Sequence, residues 1–208
     1  MATHLDMITR IGDESLRSDM TNQIKLCIQD AIAHYEVERF WFNQFRDRTF
    51  VTAIGQEFYG ETDQSDIPNI LEFDAVTLTI GSTRWPLTKV GYVQAEDWNA
   101  DAGSRGQPTH YAYWGQQIRL YPVPDNAYQI RLSGLFKLPT LAGDSDENAW
   151  TGDAEELIRH RAKSILYSQY LRDDANAARA AALESAAYER LSVTTSRRLA
   201  ASDIRPSL

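Results

Sequence analysis

The chain has 208 residues, of which 43% are hydrophobic and 24% charged, with a net charge of −8; these values exclude a disordered chain, and a fold of this length needs neither metal nor disulfide. No apolar run approaches the ~20 residues that cross a bilayer, so no membrane partner is expected. The start Met1-Ala2-Thr3-His4-Leu5-Asp6 lacks the basic and apolar stretches of a signal peptide, and the lone Cys27 excludes an internal disulfide, which together point to synthesis in a cytoplasm.

In chain order, the pattern predicts a short helix over Leu5 to Ile11 and a break at Gly12-Asp13. Asp19 then reads as the N-cap of a long helix. Its buried stripe is Ile24, Cys27, Ile28, Ala31, Ile32 and Tyr35, and it is expected to run to about Phe45, roughly 40 Å. Its last turns carry Phe40, Trp41, Phe42 and Phe45 on more than one face, so something besides a single neighbouring helix must bury them. After Arg48 the period shortens to two. Strands are predicted around Phe50 to Ile54, Val76 to Ile80 and Tyr128 to Leu132, with a hairpin of His110 to Trp114 and Gln117 to Tyr121. Tyr92 to Trp98 reads as one short helix. Beyond the loop Ala142 to Gly152, Leu157, Ile158, Ile165 and Leu166 restore the helical period. Asp173-Asp174 breaks the chain before an alanine-rich helix from about Ala175 to Leu191. From Ser192 the composition predicts an extended tail. The expected fold class is α+β: N- and C-terminal helices packed together around a central antiparallel β insertion domain of about six short strands. The expected boundaries are 1–47 for the first helical part, 48–141 for the insertion, 142–191 for the second helical part and 192–208 for the tail.

Charge is unevenly spread. Gly55 to Gly103 holds nine acids and two bases, a local −7, whereas Thr151 to Leu208 holds eight acids and nine bases. A protein gripping DNA through phosphates needs a basic patch, and the middle of this chain is the reverse. It could surround a duplex while repelling it, or simply present a soluble acidic surface.

Catalytic patterns are not found. Gly55 and Gly60 have phosphate-loop spacing, but Glu61 stands where the motif needs lysine. No Gly-x-Ser-x-Gly occurs. His4, His34, His110 and His160 show no ligand spacing; His160, between Arg159 and Arg161, reads as a surface or pairing residue. The nearest approach to a metal site is Asp144, Asp146, Asn148 and Glu155, at positions 1, 3, 5 and 12 of a calcium loop. Ala149 occupies the place where such a loop turns on glycine, so a polar capping loop is favoured and no cofactor is expected. Paired carboxylates such as Glu96-Asp97 are too common on surfaces to indicate glycoside hydrolysis. Tyr111, Tyr113, Trp114 and Tyr121 could stack bases, but without a basic groove sheet packing explains them better.

Two stretches resemble a known family. Ala31-Ile32-Ala33-His34-Tyr35 followed by Arg39-Phe40-Trp41-Phe42-Asn43 is similar to the first helix and aromatic cluster of the head-to-tail adaptor (connector) proteins of tailed phages. Tyr113-Trp114, Ile118-Arg119-Leu120-Tyr121-Pro122-Val123-Pro124-Asp125 and Tyr128-Gln129-Ile130-Arg131-Leu132 resemble its central β region, and Leu138-Pro139-Thr140-Leu141 leading to Glu155-Glu156-Leu157-Ile158 also fits. The likeness spans about residues 19–190. Where the family often continues its last strand with an aromatic, this chain has Gly134-Leu135-Phe136. The resemblance implies a structural virion protein of the neck, without enzymatic activity. Its copies form a homo-oligomeric ring, commonly of about twelve, beneath the portal protein. That ring extends the channel for double-stranded DNA, which passes without specific binding, and carries the downstream tail or nozzle proteins. It further implies portal docking by the C-terminal segment, here with Arg197, Arg198 and Arg205 as anchors. Phe40, Trp41, Phe42 and Phe45 are the candidates for packing between subunits. The competing readings are a tail-associated enzyme that degrades the cell envelope and a small nucleic-acid or ligand-binding module.

Overall fold

The computed structural model describes residues 2–98 and 105–201. In chain order the elements are α1 (His4–Ser15), α2 (Thr21–Tyr35), β1 (Gln44–Val51), β2 (Phe58–Tyr59), β3 (Ile70–Ile80), β4 (Thr83–Pro86), β5 (Thr88–Lys89) and α3 (Tyr92–Trp98). They continue with β6 (Arg105–Gly106), β7 (His110–Trp114), β8 (Gln117–Tyr121), β9 (Val123–Pro124), β10 (Gln129–Phe136), α4 (Glu155–Ile165) and α5 (Asp174–Ala201). The fold is α+β, with helices at both ends and strands between. It divides into two compact units, one of Met1–Phe42 with Leu138–Leu208 and one of Asn43–Lys137.

The first unit is helical. Thr3 caps α1 reciprocally: its hydroxyl accepts from the Asp6 amide and its amide donates to the Asp6 carboxylate at 2.8 Å. The predicted break at Gly12-Asp13 does not occur. Gly12 is buried inside α1, which ends only where Leu16 turns left-handed and its amide bonds back to Gly12 and Asp13. Asp19 is not an N-cap either; it sits in a 3₁₀ turn with its carboxylate held by the Arg17 guanidinium at 2.8 Å. The stripe Ile24, Cys27, Ile28, Ala31 and Tyr35 is buried as the spacing required. It packs against Leu157, Ile158, Ala162 and Leu166 of the α4 region and Ala187 and Leu191 of α5, so the first and last helices share one core.

The second helix stops at Tyr35 rather than running to Phe45. A continued helix would splay Phe40 and Phe42 onto different faces. By leaving the helix the chain tucks Phe40 into the core at 1% exposure, edge-on to Trp150 at 5.9 Å, with Phe42 edge-on to the same ring at 5.1 Å. The predicted extended tail is also corrected: α5 continues to Ala201. Its buried positions Ala180, Glu184, Ala187, Leu191 and Thr195 recur at three- and four-residue steps, a helical stripe that outlasts the drop in apolar content at Ser192. Residues 202–208 lie outside the described range.

The second unit is a β-sandwich. One sheet has the order β1-β10-β3-β4 and is antiparallel throughout; the other has the order β2-β8-β7-β5, and a short β6-β9 pair stands apart. The insertion is not wholly antiparallel, because β5 runs parallel to β7 and β6 parallel to β9. Alternation decides the core. Phe50, Val76, Leu78, Ile130 and Leu132 from the first sheet meet Tyr59, Tyr111, Ile118 and Leu120 from the second. The two-residue turn Gly115-Gln116 takes positive φ at both positions (58° and 62°), the geometry that closes a tight hairpin.

Candidate functional site

Of the residues that the sequence offered for subunit packing, Phe40, Trp41 and Phe42 touch one another in the helical unit, with ring centroids 5.4 and 5.7 Å apart. Phe40 is enclosed in the helical core and Phe42 is half-buried against Trp150, so little of either is left for a neighbour. Phe45 belongs to the β-unit, edge-on to Phe136 at 4.9 Å and capped by the Arg48 guanidinium 4.4 Å from its centroid. Trp41 is partly buried, and one face of its ring is covered by Arg198 of α5, whose guanidinium carbon sits 3.7 Å from the ring centroid. One packing candidate and one docking candidate thus come together. Arg197 is exposed on the same helix, and Arg205 lies outside the described residues. Trp41 and Arg198 border a shallow depression with Asp153, Glu156, Arg190 and Thr194.

The calcium-loop residues are already engaged. Asp144 pairs with Lys25 at 2.7 Å, which holds its carboxyl below the usual range. Asp146 accepts from the backbone amides of Ala142 and Gly143, Asn148 accepts from the Trp150 amide, and Glu155 is paired with Arg159 and Arg10. The oxygens of Asp146 and Asn148 close a loop, and Glu155 lies in the first turn of α4, where a negative charge is favourable. Among the described residues no three His, Cys, Asp or Glu side chains are grouped to hold a metal.

His160 is not a surface residue. It is 5% exposed, and burial together with the charges of Arg159 and Lys163 pushes its pKa down. Glu14 gathers Arg159 at 2.8 Å and Lys163 at 2.9 Å; burial disfavours its charge, but the two cations outweigh it and lower its pKa. Tyr35 donates to Glu184 at 2.6 Å inside the core, and burial plus that carboxylate raise the phenol well above its ordinary value. Burial likewise pushes the Cys27 thiol up to about 11, leaving it an unreactive core residue. These groups tie helices together, and Glu14 and Lys163 also border a depression of about 270 Å³ with Tyr167, Asn176 and Arg179.

The outer faces of the β-sandwich carry what the linear sequence did not reveal. Tyr111 and Tyr113 point inward, whereas Trp114 points out at 69% exposure, so the four aromatics considered for base stacking do not share a face. On the outside of the second sheet, Arg119 is 5% exposed and pairs with both Glu57 and Glu96, flanked by the rings of Phe58 and Tyr92. Burial opposes its charge, but the hydrogen bonds it donates to the two carboxylates win and raise its pKa. This pairing fastens α3 to the sheet, helped by Ala95, which is buried, and by Trp98, whose ring is 5.1 Å from both His110 and Tyr121. On the outside of the first sheet, register aligns Thr49, Arg131 and Thr77 in one row and Gln129, Thr79 and Arg84 in the next. Arg46 joins them across a bulge between Phe45 and Arg48. Strand alternation could have found Arg131, but placing Arg84 and Arg46 beside it requires the order β1-β10-β3-β4, which is not written in any local pattern.

No curated protein matches the chain. The family model described as SU10 adaptor protein matches residues 2–206, both units and nearly every residue. A match that begins just before the capping Thr3 and runs past Ala201 of α5 accounts for the helical unit and the β-unit together, so the chain belongs to the SU10 adaptor protein family, a family of phage head-to-tail adaptors.

Proposed function

We propose that copies of this chain assemble into a ring beneath the portal protein of a tailed phage, prolong the DNA channel and carry the tail proteins below. The reading is carried by the adaptor match across residues 2–206, which includes every element described above. Two physical features support it. The chain's stable polar interactions are spent on fixing helices and strands, as suits a part that must hold shape under load rather than turn over a substrate. The β-unit also exposes Glu61 and Glu72, and carboxylates facing a channel would keep phosphates from adhering as the duplex slides past. Arg197, Arg198 and Arg205 anchor the C-terminal end on the portal in this reading, with Arg198 stacked on Trp41.

The test is a truncation mixed with portal. Removing 202–208 is expected to leave the melting temperature unchanged while lowering the occupancy of portal particles in electron micrographs. Removing everything from Ser192 onward would also strip buried Thr195 and the Arg198 stack, so it would cost stability as well. Full docking by both truncated chains would contradict the role given to this end.

A further inference from the structure

We propose that the two outer faces of the β-sandwich are the two halves of a contact between copies of this chain. The arginine-bearing face of the sheet β1-β10-β3-β4 on one copy receives the aromatic, acid-edged face around α3 on the next. The proposal rests on the ring reading above and gives it its contact surfaces.

The first face is shaped by its arginines. Arg84 and Arg131 border two adjoining depressions of about 380 and 290 Å³, with Arg46 at one end and threonines between. The second face is apolar at its centre. Phe58 is 40% exposed, Tyr92 38%, Val93 73% and Trp114 69%, and the rings of Tyr92 and Trp114 lie 6.0 Å apart. Glu96 and Asp97 edge it, and because Arg119 already carries two carboxylates, the cluster keeps a negative excess. Exposed aromatics inside a polar border mark protein contacts, and tyrosine, tryptophan and arginine dominate the energetics of such contacts.

A second copy is the occupant that these features select. The first face lines its depressions with three arginines against Asp47 and Asp74, a small positive excess, which favours approach of the negative second face and disfavours pairing of like with like. The two faces lie on opposite sides of one rigid core, since alternate residues of both sheets fill the space between them. A contact joining two different faces of the same unit is heterologous and repeats from copy to copy, as a ring contact must, and gives a closed ring when the rotation between copies closes. Duplex DNA suits the arginine face less well, because Asp74 and Asp47 line the same depressions.

The experiment uses full-length protein with portal, lysine-reactive cross-linking and mass analysis of adaptor–adaptor species. Arg84→Glu spoils one face and Trp114→Asp the other, and both side chains are exposed, so thermal melts should match the parent. The parent should give a ladder up to the closed ring. Each variant alone should lose at least about tenfold of its oligomers, corresponding to ~1.4 kcal/mol at the contact. An equimolar mixture of the two should regain the dimer and nothing larger, because one intact pair of faces remains between unlike partners. A full ladder from either variant, or a mixture without dimer, would overturn the proposal while leaving the ring in place. A parent without a ladder would remove the ring reading and the proposal with it. A DNA band shift abolished by Arg84→Glu would assign the arginine face to nucleic acid instead and also overturn it.

Discussion

Replacing Gly134 with alanine should unfold the β-unit at far lower denaturant than the parent requires. Gly134 sits in β10 opposite Phe73, at a shift in the register with β3. A Cβ built there would lie 2.0 Å from the Glu72 carbonyl oxygen and 3.1 Å from the Phe73 Cα, both backbone atoms that no rotamer change can move. Non-bonded atoms rest at about 3.5 Å, so the strands must part by more than ~1 Å. Ladder hydrogen bonds near 2.9 Å do not survive that separation. Losing two of them at ~1 kcal/mol each, with overpacking of ~1–3 kcal/mol, gives roughly 3–5 kcal/mol. Against a typical total of ~5–15 kcal/mol and a urea slope of ~1–3 kcal/mol per molar, the midpoint should fall by about 2 M. Urea titration followed by tryptophan fluorescence reads this directly. Gly91→Ala is the control, since nothing lies within 4 Å of its added Cβ, and it should change stability by less than ~0.5 kcal/mol. If Gly134→Ala unfolded alongside Gly91→Ala, the pairing of β10 with β3 described above would be wrong.

Trp150→Ala should cost the helical unit ~3–5 kcal/mol in calorimetry, because a ring 1% exposed and edge-on to both Phe40 and Phe42 leaves a cavity that neither can fill; a loss below ~1 kcal/mol would contradict that packing. Stability should decline in two stages on acidification. Burial holds the folded pKa of His160 below its ordinary 6.5, so the unfolded chain binds that proton first. Its contribution is complete above about pH 6.5 and diminishes as the pH falls toward the folded value. The folded pKa of Glu14 is lowered from 4.5, so its contribution is present above that value and is lost as the pH drops through the folded pKa. A His160→Gln protein retaining the first stage would disprove its assignment. Millimolar calcium should leave the melting temperature unchanged, because Asp144, Asp146, Asn148 and Glu155 already have partners; a rise of several degrees would show that the loop opens to bind the ion.

Most of the fold was legible because its signals are local. Tyr92 to Trp98 and the hairpin of His110 to Trp114 with Gln117 to Tyr121 form where helical spacing, alternation and a glycine turn predict them. The failures come from tertiary competition. Phe40 gains more from the core beside Trp150 than from prolonging α2, and sequence spacing could not see that partner 110 positions away. The continuation of α5 past Ser192 was written in the step from Leu191 to Thr195, but composition, which averages over faces, concealed it. His160 looked solvated because arginines flank it in sequence, yet on a helix those neighbours point elsewhere. The candidate surfaces were the least legible part. Arg46, Arg84 and Arg131 are separated by tens of residues and meet only through strand order.

The neck ring proposed above joins unlike faces of identical copies. Electron microscopy of the full-length protein bound to its portal tests it most directly. The expected image is a closed ring beneath the portal, with the arginine-bearing sheet of each β-unit against the Tyr92 and Trp114 side of its neighbour. Copies attached singly to the portal with no lateral contact, in a preparation that saturates its binding sites, would contradict it.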